Sequence, residues 1–265
     1  MTAILETRDL TRKFGSMTAV DKLNISVETG EIFGLLGPNG AGKSTSIKML
    51  TTLLPPTSGD ATVVGYSIAK NAPEVRHVIG YVPQLLSADS SLTAYENLLI
   101  FAKVYDIPKA EREKRIRESL DFMGLGEVAN NLVGTYSGGM IRRLEIAQSM
   151  LHHPRVLFLD EPTVGLDPAA RRAVWQHIRE MRDEYTMTIF LTTHLMEEAD
   201  SLCNRVAIMH LGVVAAIGTP EELKKSVPGE NVTLDDVFIH YAGGEIEGGS
   251  FREASRARRV AKRLG

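Results

Sequence analysis

The sequence predicts an α/β fold built on a parallel sheet, and three observations carry that prediction. After residue 150 the chain alternates apolar strands with helices: "RVLFLDEP", a helix from Pro168 to about Arg182, "MTIFLTTH", a short helix, "RVAIMH" and "VVAAIG". Such alternation is the pattern of parallel strands joined by crossover helices. Earlier, "EIFGLL" reads as a buried strand running into a glycine-rich turn and a helix from Ser44 to about Leu53, stopped by Pro55 and Pro56. Between these halves, from about Leu92 to Leu151, the pattern is helical throughout, which reads as a subdomain inserted into the sheet.

The elements follow in order. "AILETRDLTRKF", "TAVDKLNISVETG" and "EIFGLLG" are β-rich and suggest a small, partly antiparallel sheet leading into the buried strand. "DATVVG" and "HVIGYVP" read as further strands. Thr93 and Glu96 form a capping-box pattern ahead of "NLLIFAKVY". "KAEREKRIRESLDFM" is an amphipathic helix whose many charges form a solvated face. Leu144, Ala147, Met150 and Leu151 recur at helical spacing after "SGG". Thr219-Pro220-Glu221-Glu222 supplies the cap, first-turn proline and reciprocal glutamate of one more helix. From Gly243 the tail is Gly-rich and then basic; "FREASRARRVAKRLG" reads either as a solvated end or as an anchor at a membrane surface.

Composition narrows the function classes. The net charge of −3 argues against general nucleic-acid affinity, which needs a basic face. The single cysteine, Cys203, excludes an internal disulfide framework and fits a reducing compartment, where it reads as a small buried hydrophobe. No apolar run approaches the ~20 residues of a membrane helix, and "MTAILETRDL" lacks a secretory apolar core. The expectation is a cytoplasmic chain for which any membrane role requires another polypeptide.

The chemistry is concentrated in short motifs. "GPNGAGKST", from Gly37 through Pro38, Asn39, Gly40, Ala41, Gly42, Lys43 and Ser44 to Thr45, lies between a strand and a helix. That context identifies a phosphate-binding loop, or P-loop. Gly37, Gly40 and Gly42 let backbone amides turn toward phosphate oxygens. Lys43 would reach the β- and γ-phosphates, and the Ser44 hydroxyl would ligate Mg²⁺. Asp160 and Glu161 end the apolar strand "VLFLD", at the edge where open parallel sheets bind ligands. Asp160 would hold the metal through water and Glu161 would polarise an attacking water; the alternative is a pair of solvated turn carboxylates. His194 ends "FLTTH" on the same edge and could contact the γ-phosphate. Gln84 ends "IGYVPQ" likewise, and its amide can ligate metal or water.

A second anion site stands far along the chain. In "TYSGGMIRRLEIAQ" Ser137, Gly138 and Gly139 head a helix, and bare glycine amides at a helix start attract phosphate. Ser137 alone is explained as a cap, but two glycines weaken the first turn and call for another reason. Asp167, just before Pro168, has a full explanation as a helix cap.

Together these residues resemble the ATP-binding cassette (ABC) transporter ATPases from about residue 3 to residue 220, in that family's order: "GPNGAGKST", Gln84, "SGG", "LDEP", "GLDP" and His194. The resemblance implies a P-loop NTPase parallel-sheet core, with a small antiparallel β subdomain and an α-helical subdomain inserted at about 88–151. The ATPase domain would span 1–220, and 221–265 would form a short extension. It implies ATP and Mg²⁺ as ligands and a second ATPase subunit as partner. The Ser137–Gly139 amides and Asp167 of one copy would close on the nucleotide of the other. Phe14 looks like the aromatic that stacks on adenine, the alternative being an edge-strand core residue. A transmembrane permease subunit would tether the chain to the cytoplasmic face of a membrane, meeting it near residues 85–97. Tyr136 stands where Leu is usual and Met140 where Gln is usual. "TYSGGM", "RRLEIA" and "TLDDVFIHYAGG" are similar to the drug-resistance and polysaccharide exporter branch. The resemblance thus implies an export ATPase; an importer ATPase, or a soluble mechanical ABC ATPase acting on nucleic acid or ribosomes, are the alternatives.

Overall fold

A strand register decides where the chemistry of this protein sits. The computed structural model describes residues 3–242, so the basic tail lies outside the described residues. The chain opens with β1 (Ala3–Phe14), β2 (Met17–Leu23) and β3 (Ser26–Glu28), then β4 (Ile32–Leu36) and α1 (Lys43–Leu50). Next come β5 (Ser58–Val63), β6 (Tyr66–Ser67), α2 (Ala72–Val78) and β7 (Ile79–Val82). The helical stretch contains α3 (Ala94–Val104), α4 (Lys109–Phe122), two single 3₁₀ turns and α5 (Gly138–Met150). The remainder is β8 (Val156–Asp160), α6 (Pro168–Tyr185), β9 (Thr188–Thr193), α7 (Met196–Leu202), β10 (Arg205–His210), β11 (Val213–Gly218), α8 (Pro220–Lys225) and α9 (Leu234–Tyr241).

Two sheets result. β2-β1-β5-β6, with β3 also on β1, form an antiparallel sheet; β11-β10-β4-β9-β8-β7 form the other. Within the latter, β10, β4, β9, β8 and β7 pair in parallel. Its central strands are apolar on both sides, as a doubly covered parallel sheet requires. Leu157, Leu159, Ile189 and Leu191 join the core shared with α3, α4, α5 and α6. Phe158, Phe190, Phe33 and Leu35 join the core shared with α1 and the antiparallel sheet. Register pairs Leu36 with Thr193, Asp160 with Thr192, and Val82 with Leu159. The residues just beyond these strand ends, Gly37, His194, Glu161 and Gln84, therefore come level along one edge.

The helical stretch follows its local chemistry. Thr93 caps α3 with Glu96 answering reciprocally, and Thr219 and Glu222 do the same for α8. α4 buries only Ile116 and Leu120, and its outer face carries Lys114–Glu118, Arg115–Glu111 and Arg117–Glu113 pairs at i,i+4 spacing. Such exposed pairs are screened by water, add little to stability and keep the face wet.

Three features differ from the sequence pattern. α1 stops at Leu50, before the prolines, because Thr52 adopts φ +62 and the Leu53 and Leu54 amides turn back onto the Lys48 carbonyl. "HV" of "HVIGYVP" closes α2, which begins with a first-turn proline, so the strand is only Ile79–Val82. β11 runs antiparallel to β10. Only Leu211 and Gly212 separate them, both at positive φ, and a two-residue loop cannot make a parallel crossover. The sequence pattern assigns no element to residues 234–241, which form a helix capped by Thr233, with Leu234, Val237 and Phe238 in the main core.

Cys203 is buried at the end of α7, its Sγ standing where a Cβ on Gly34 would come within 2.7 Å. Burial raises its thiol pKa well above the ordinary value. No helix among the described residues is long and apolar enough to cross a membrane.

Candidate functional site: a phosphate loop facing two carboxylates

The loop Gly37–Thr45 is fixed at both ends. The Gly37 amide donates to the Thr193 carbonyl at 3.2 Å, and the Gly212 amide donates to the Ala41 carbonyl at 3.0 Å. Ala41 donates back to Pro38, while Asn39 and Gly40 stay exposed at the tip. Gly42 has φ +107, and a Cβ there would meet the Ala19 carbonyl at 2.4 Å. Only glycine fits that conformation so close to another backbone. α1 starts directly after it with no side-chain cap, so its first amides, those of Lys43, Ser44 and Thr45, form a site suited to phosphate.

Lys43 and Glu161 are paired and almost fully buried, each with 4% side-chain exposure, at 3.1 Å. The Lys43 ammonium also donates to the carbonyls of Gly37 at 2.8 Å and Pro38 at 3.1 Å. The other carboxylate oxygen of Glu161 accepts from Gln84 Nε2 at 3.0 Å. His194 Nδ1 lies 3.2 Å from that oxygen without hydrogen-bond alignment. Glu161 itself adopts φ +49, a costly conformation for a non-glycine residue and one that clusters at functional sites. Asp160 accepts from Ser44 Oγ at 3.1 Å and from Thr192 Oγ1 at 2.5 Å. Both carboxylates are 2–3% exposed, so they are not solvated turn residues. Burial, with the Asp160 charge adding to it, pushes the Tyr81 phenol up to about 12.

The Ser44 hydroxyl and Asp160 carboxylate in contact give a hard-oxygen donor pair that fits Mg²⁺, a metal that takes few protein ligands beside phosphate and water. Gln84, predicted to share in metal binding, has its amide on Glu161 and makes no hydrogen bond to Ser44 or Asp160.

The second glycine motif lies apart. Ser137 caps α5, accepting from the Met140 amide at 3.3 Å. Gly139 is buried where a Cβ would stand 2.7 Å from the Ala170 Cβ, so α5 and α6 can approach only over a glycine. Ser137 and Gly138 remain exposed. Asp167 is also exposed and caps α6, accepting from the Ala169 and Ala170 amides at 2.9 and 3.0 Å, which hold its carboxyl below the ordinary range. No hydrogen bond or ion pair among the described residues joins Ser137–Gly139 to the phosphate loop. Tyr136 is buried in the main core with its hydroxyl donating to the Val128 carbonyl at 2.7 Å, so the unusual residue there packs and is satisfied. Phe14 is 43% exposed, with the Arg12 guanidinium 4.6 Å from its ring centroid; it is not a core residue.

Thr192 went unread in the sequence, although threonines in an otherwise apolar strand are a visible anomaly. It holds Asp160, and its Oγ1 and carbonyl oxygen both accept from the Glu161 amide at 3.1 Å. Arg142 and Glu145, polar residues within the buried face of α5, were likewise missed.

The chain is similar to known proteins in sequence and in fold. Residues 20–164 match the family model described as ABC transporter. The chain is 45% identical over 231 residues to a daunorubicin/doxorubicin resistance ATP-binding protein of Streptomyces peucetius, covering 87% of this chain and 69% of that one. It is 41% identical over 229 residues to a linearmycin resistance ATP-binding protein of Bacillus subtilis, covering 86% and 73%. It is also 41% identical over 247 residues to a Nod factor export ATP-binding protein of Cupriavidus metallidurans, covering 93% and 79%. Among solved structures, an ATP-binding subunit of an ABC transporter superposes with a TM-score of 0.80 at 29% identity, covering 91% of this chain and all of that one. A dimeric ATP-binding cassette bound to ADP and Pi gives 0.72 at 27% identity, covering 81% and 98%. The chain belongs to the ABC transporter family, in which it is an ATPase and the ATP-binding subunit of an exporter.

Proposed function

We propose that two copies of this chain close around two Mg-ATP and drive a separate membrane-spanning subunit that exports a small molecule. Residues 1–220 form the ATPase unit, with 88–151 inserted, and 221–265 are an extension of it. The observation that carries the reading is the convergence of Lys43, Ser44, Gln84, Asp160, Glu161 and His194 at one sheet edge, while Ser137, Gly138 and Asp167 are exposed elsewhere. A site complete in everything but its cover, and a cover with nothing beneath it, suit a pair of copies facing each other.

Phe14, on the β1–β2 hairpin that abuts Gly42, stacks on the adenine. The loop amides and Lys43 hold the β- and γ-phosphates, which requires the ammonium to exchange its Glu161 partner for phosphate. Ser44 and Asp160 hold Mg²⁺, which when bound offsets charge on the phosphate oxygens. Glu161, released from Lys43, takes a proton from water as the water oxygen bonds to the γ-phosphorus and the bond to ADP breaks. Gln84 and His194 keep that carboxylate and the water in line. The relatives' names point to drugs and Nod factor, and we take the cargo to be a small molecule of that broad kind.

The membrane partner sits on the loop after Gln84, holding the chain at the cytoplasmic face. Leu85 is 82% and Leu86 49% exposed there, and Ile100, Phe101 and Val104 of α3 are exposed as well. Changing Leu85 and Leu86 together to Ser should abolish co-purification of the chain with a multi-spanning protein from mild-detergent membranes. Undiminished co-purification, with transport as strong as before, would place the contact elsewhere.

A further inference from the structure

Gln84 is held by backbone contacts that the reaction itself does not explain. Arg142, on α5 just beyond the Ser-Gly-Gly turn, is buried and spends its guanidinium on two carbonyls of the Gln84 loop. Nη1 donates to Pro83 at 2.6 Å and Nη2 to Gln84 at 2.7 Å. The guanidinium also lies 3.0 Å from Glu145, equally buried. The second oxygen of Glu145 accepts from the amide of Ser87 and, at 3.1 Å, from its hydroxyl. The ion pair therefore grips residues 83–87 at both ends, with Leu85 and Leu86 projecting between the two grips. Stability alone does not account for it. Two apolar side chains in place of a buried ion pair are often neutral or stabilising, and burial already pulls the Arg142 pKa below its ordinary value. What apolar side chains cannot do is bond the carbonyls that fix where Gln84 points.

We infer that Arg142 and Glu145 are positioning residues for hydrolysis. They lock the Gln84 loop to α5, so that a push on Leu85–Leu86 moves Gln84 and the exposed Ser137 end of α5 as one body. The inference rests on the proposed role of Gln84 at Glu161. Residues on α5 thereby act on the site of their own chain through Gln84 and, through Ser137, on that of the neighbour.

The test is a double-mutant cycle of ATP turnover by the full chain with its membrane partner: Arg142→Met, Gln84→Ala and both, with Tm measured for each. Arg142→Met should lower kcat by roughly tenfold and leave KM for ATP within about twofold, because an interaction that orients catalytic groups acts in the transition state. In the Gln84→Ala background it should cost almost nothing further, since residues acting through one another are not additive. Full multiplication of the two losses, or wild-type kcat for Arg142→Met, would overturn the inference while leaving Gln84 in its role. Wild-type kcat for Gln84→Ala would overturn both. If Arg142→Met fails to fold, Glu145→Gln, which keeps the shape and the Ser87 acceptor, carries the same cycle. It should slow turnover with Gln84 present and not without it; equal slowing in both backgrounds would sink the inference.

Discussion

Glu161→Gln should slow ATP turnover by about 10²–10⁴-fold, the range for losing a general base, and yet bind Mg-ATP more readily than the native chain. The second half follows from the ion pair. In the native chain the Lys43 ammonium is held 3.1 Å from Glu161 in a buried setting, so an incoming phosphate competes with a carboxylate already in place. The amide has no charge to offer Lys43, and removing one partner of a buried pair destabilises a protein by about 3–5 kcal/mol. The nucleotide-free variant should therefore have a lowered Tm. Mg-ATP returns an anion to Lys43, so the rise in Tm on adding nucleotide should be larger for the variant than for the native chain. With hydrolysis stalled, light scattering should find the variant as a closed dimer in saturating Mg-ATP. An equal nucleotide shift in both proteins would show that Lys43 and phosphate do not compete through Glu161. A monomer at saturation would count against the paired arrangement.

Mixing two dead variants should restore a working site. Lys43→Ala removes the phosphate ligand, and Ser137→Arg blocks the exposed cap of α5 with a bulky side chain. Each homodimer then has a lesion in both sites, and turnover should fall to background. In a mixed dimer both lesions fall in one site, because Ser137 serves the nucleotide of the opposite copy. The other site keeps an intact loop facing an intact Ser-Gly-Gly turn. ATP-dependent closure, and turnover where one site suffices, should return in proportion to the mixed species. Mixed dimers that form and recover neither would assign Ser137 to the nucleotide of its own chain. Because Ser137 makes no hydrogen bond to its own phosphate loop, the first outcome is the expected one.

Much of the site was legible because its parts are local. "GPNGAGKST" carries its own turn and helix start, and "LDEP" carries its own strand end. What the sequence hid is how these parts meet, since that depends on pairing between strands far apart in the chain. Nothing in "FLTTH" says that Thr192 lies opposite Asp160, yet that register brings His194 and Glu161 within 3.2 Å. Gln84 was legible as a strand-end amide, but its bond to Glu161 rather than to the Ser44–Asp160 pair was not. α2 was hidden because the alternation of "HVIGYVP" outweighs a helix of only seven residues. The direction of β11 was legible in principle: "HLG" leaves too few residues for a crossover. Arg142 and Glu145 were hidden because charged residues on a helix read as a wet face, and only packing reveals that this face is covered by the Gln84 loop.

The burial of Cys203 also makes the chain convenient for labelling chemistry. A thiol packed above Gly34, with its ionisation suppressed, offers almost no thiolate to maleimide or methanethiosulfonate reagents, and the sequence contains no second cysteine. The native chain thus serves as its own unreactive background. One cysteine introduced at an exposed position such as Leu85 would carry a fluorophore or spin label at a single defined place, with no prior stripping of native thiols.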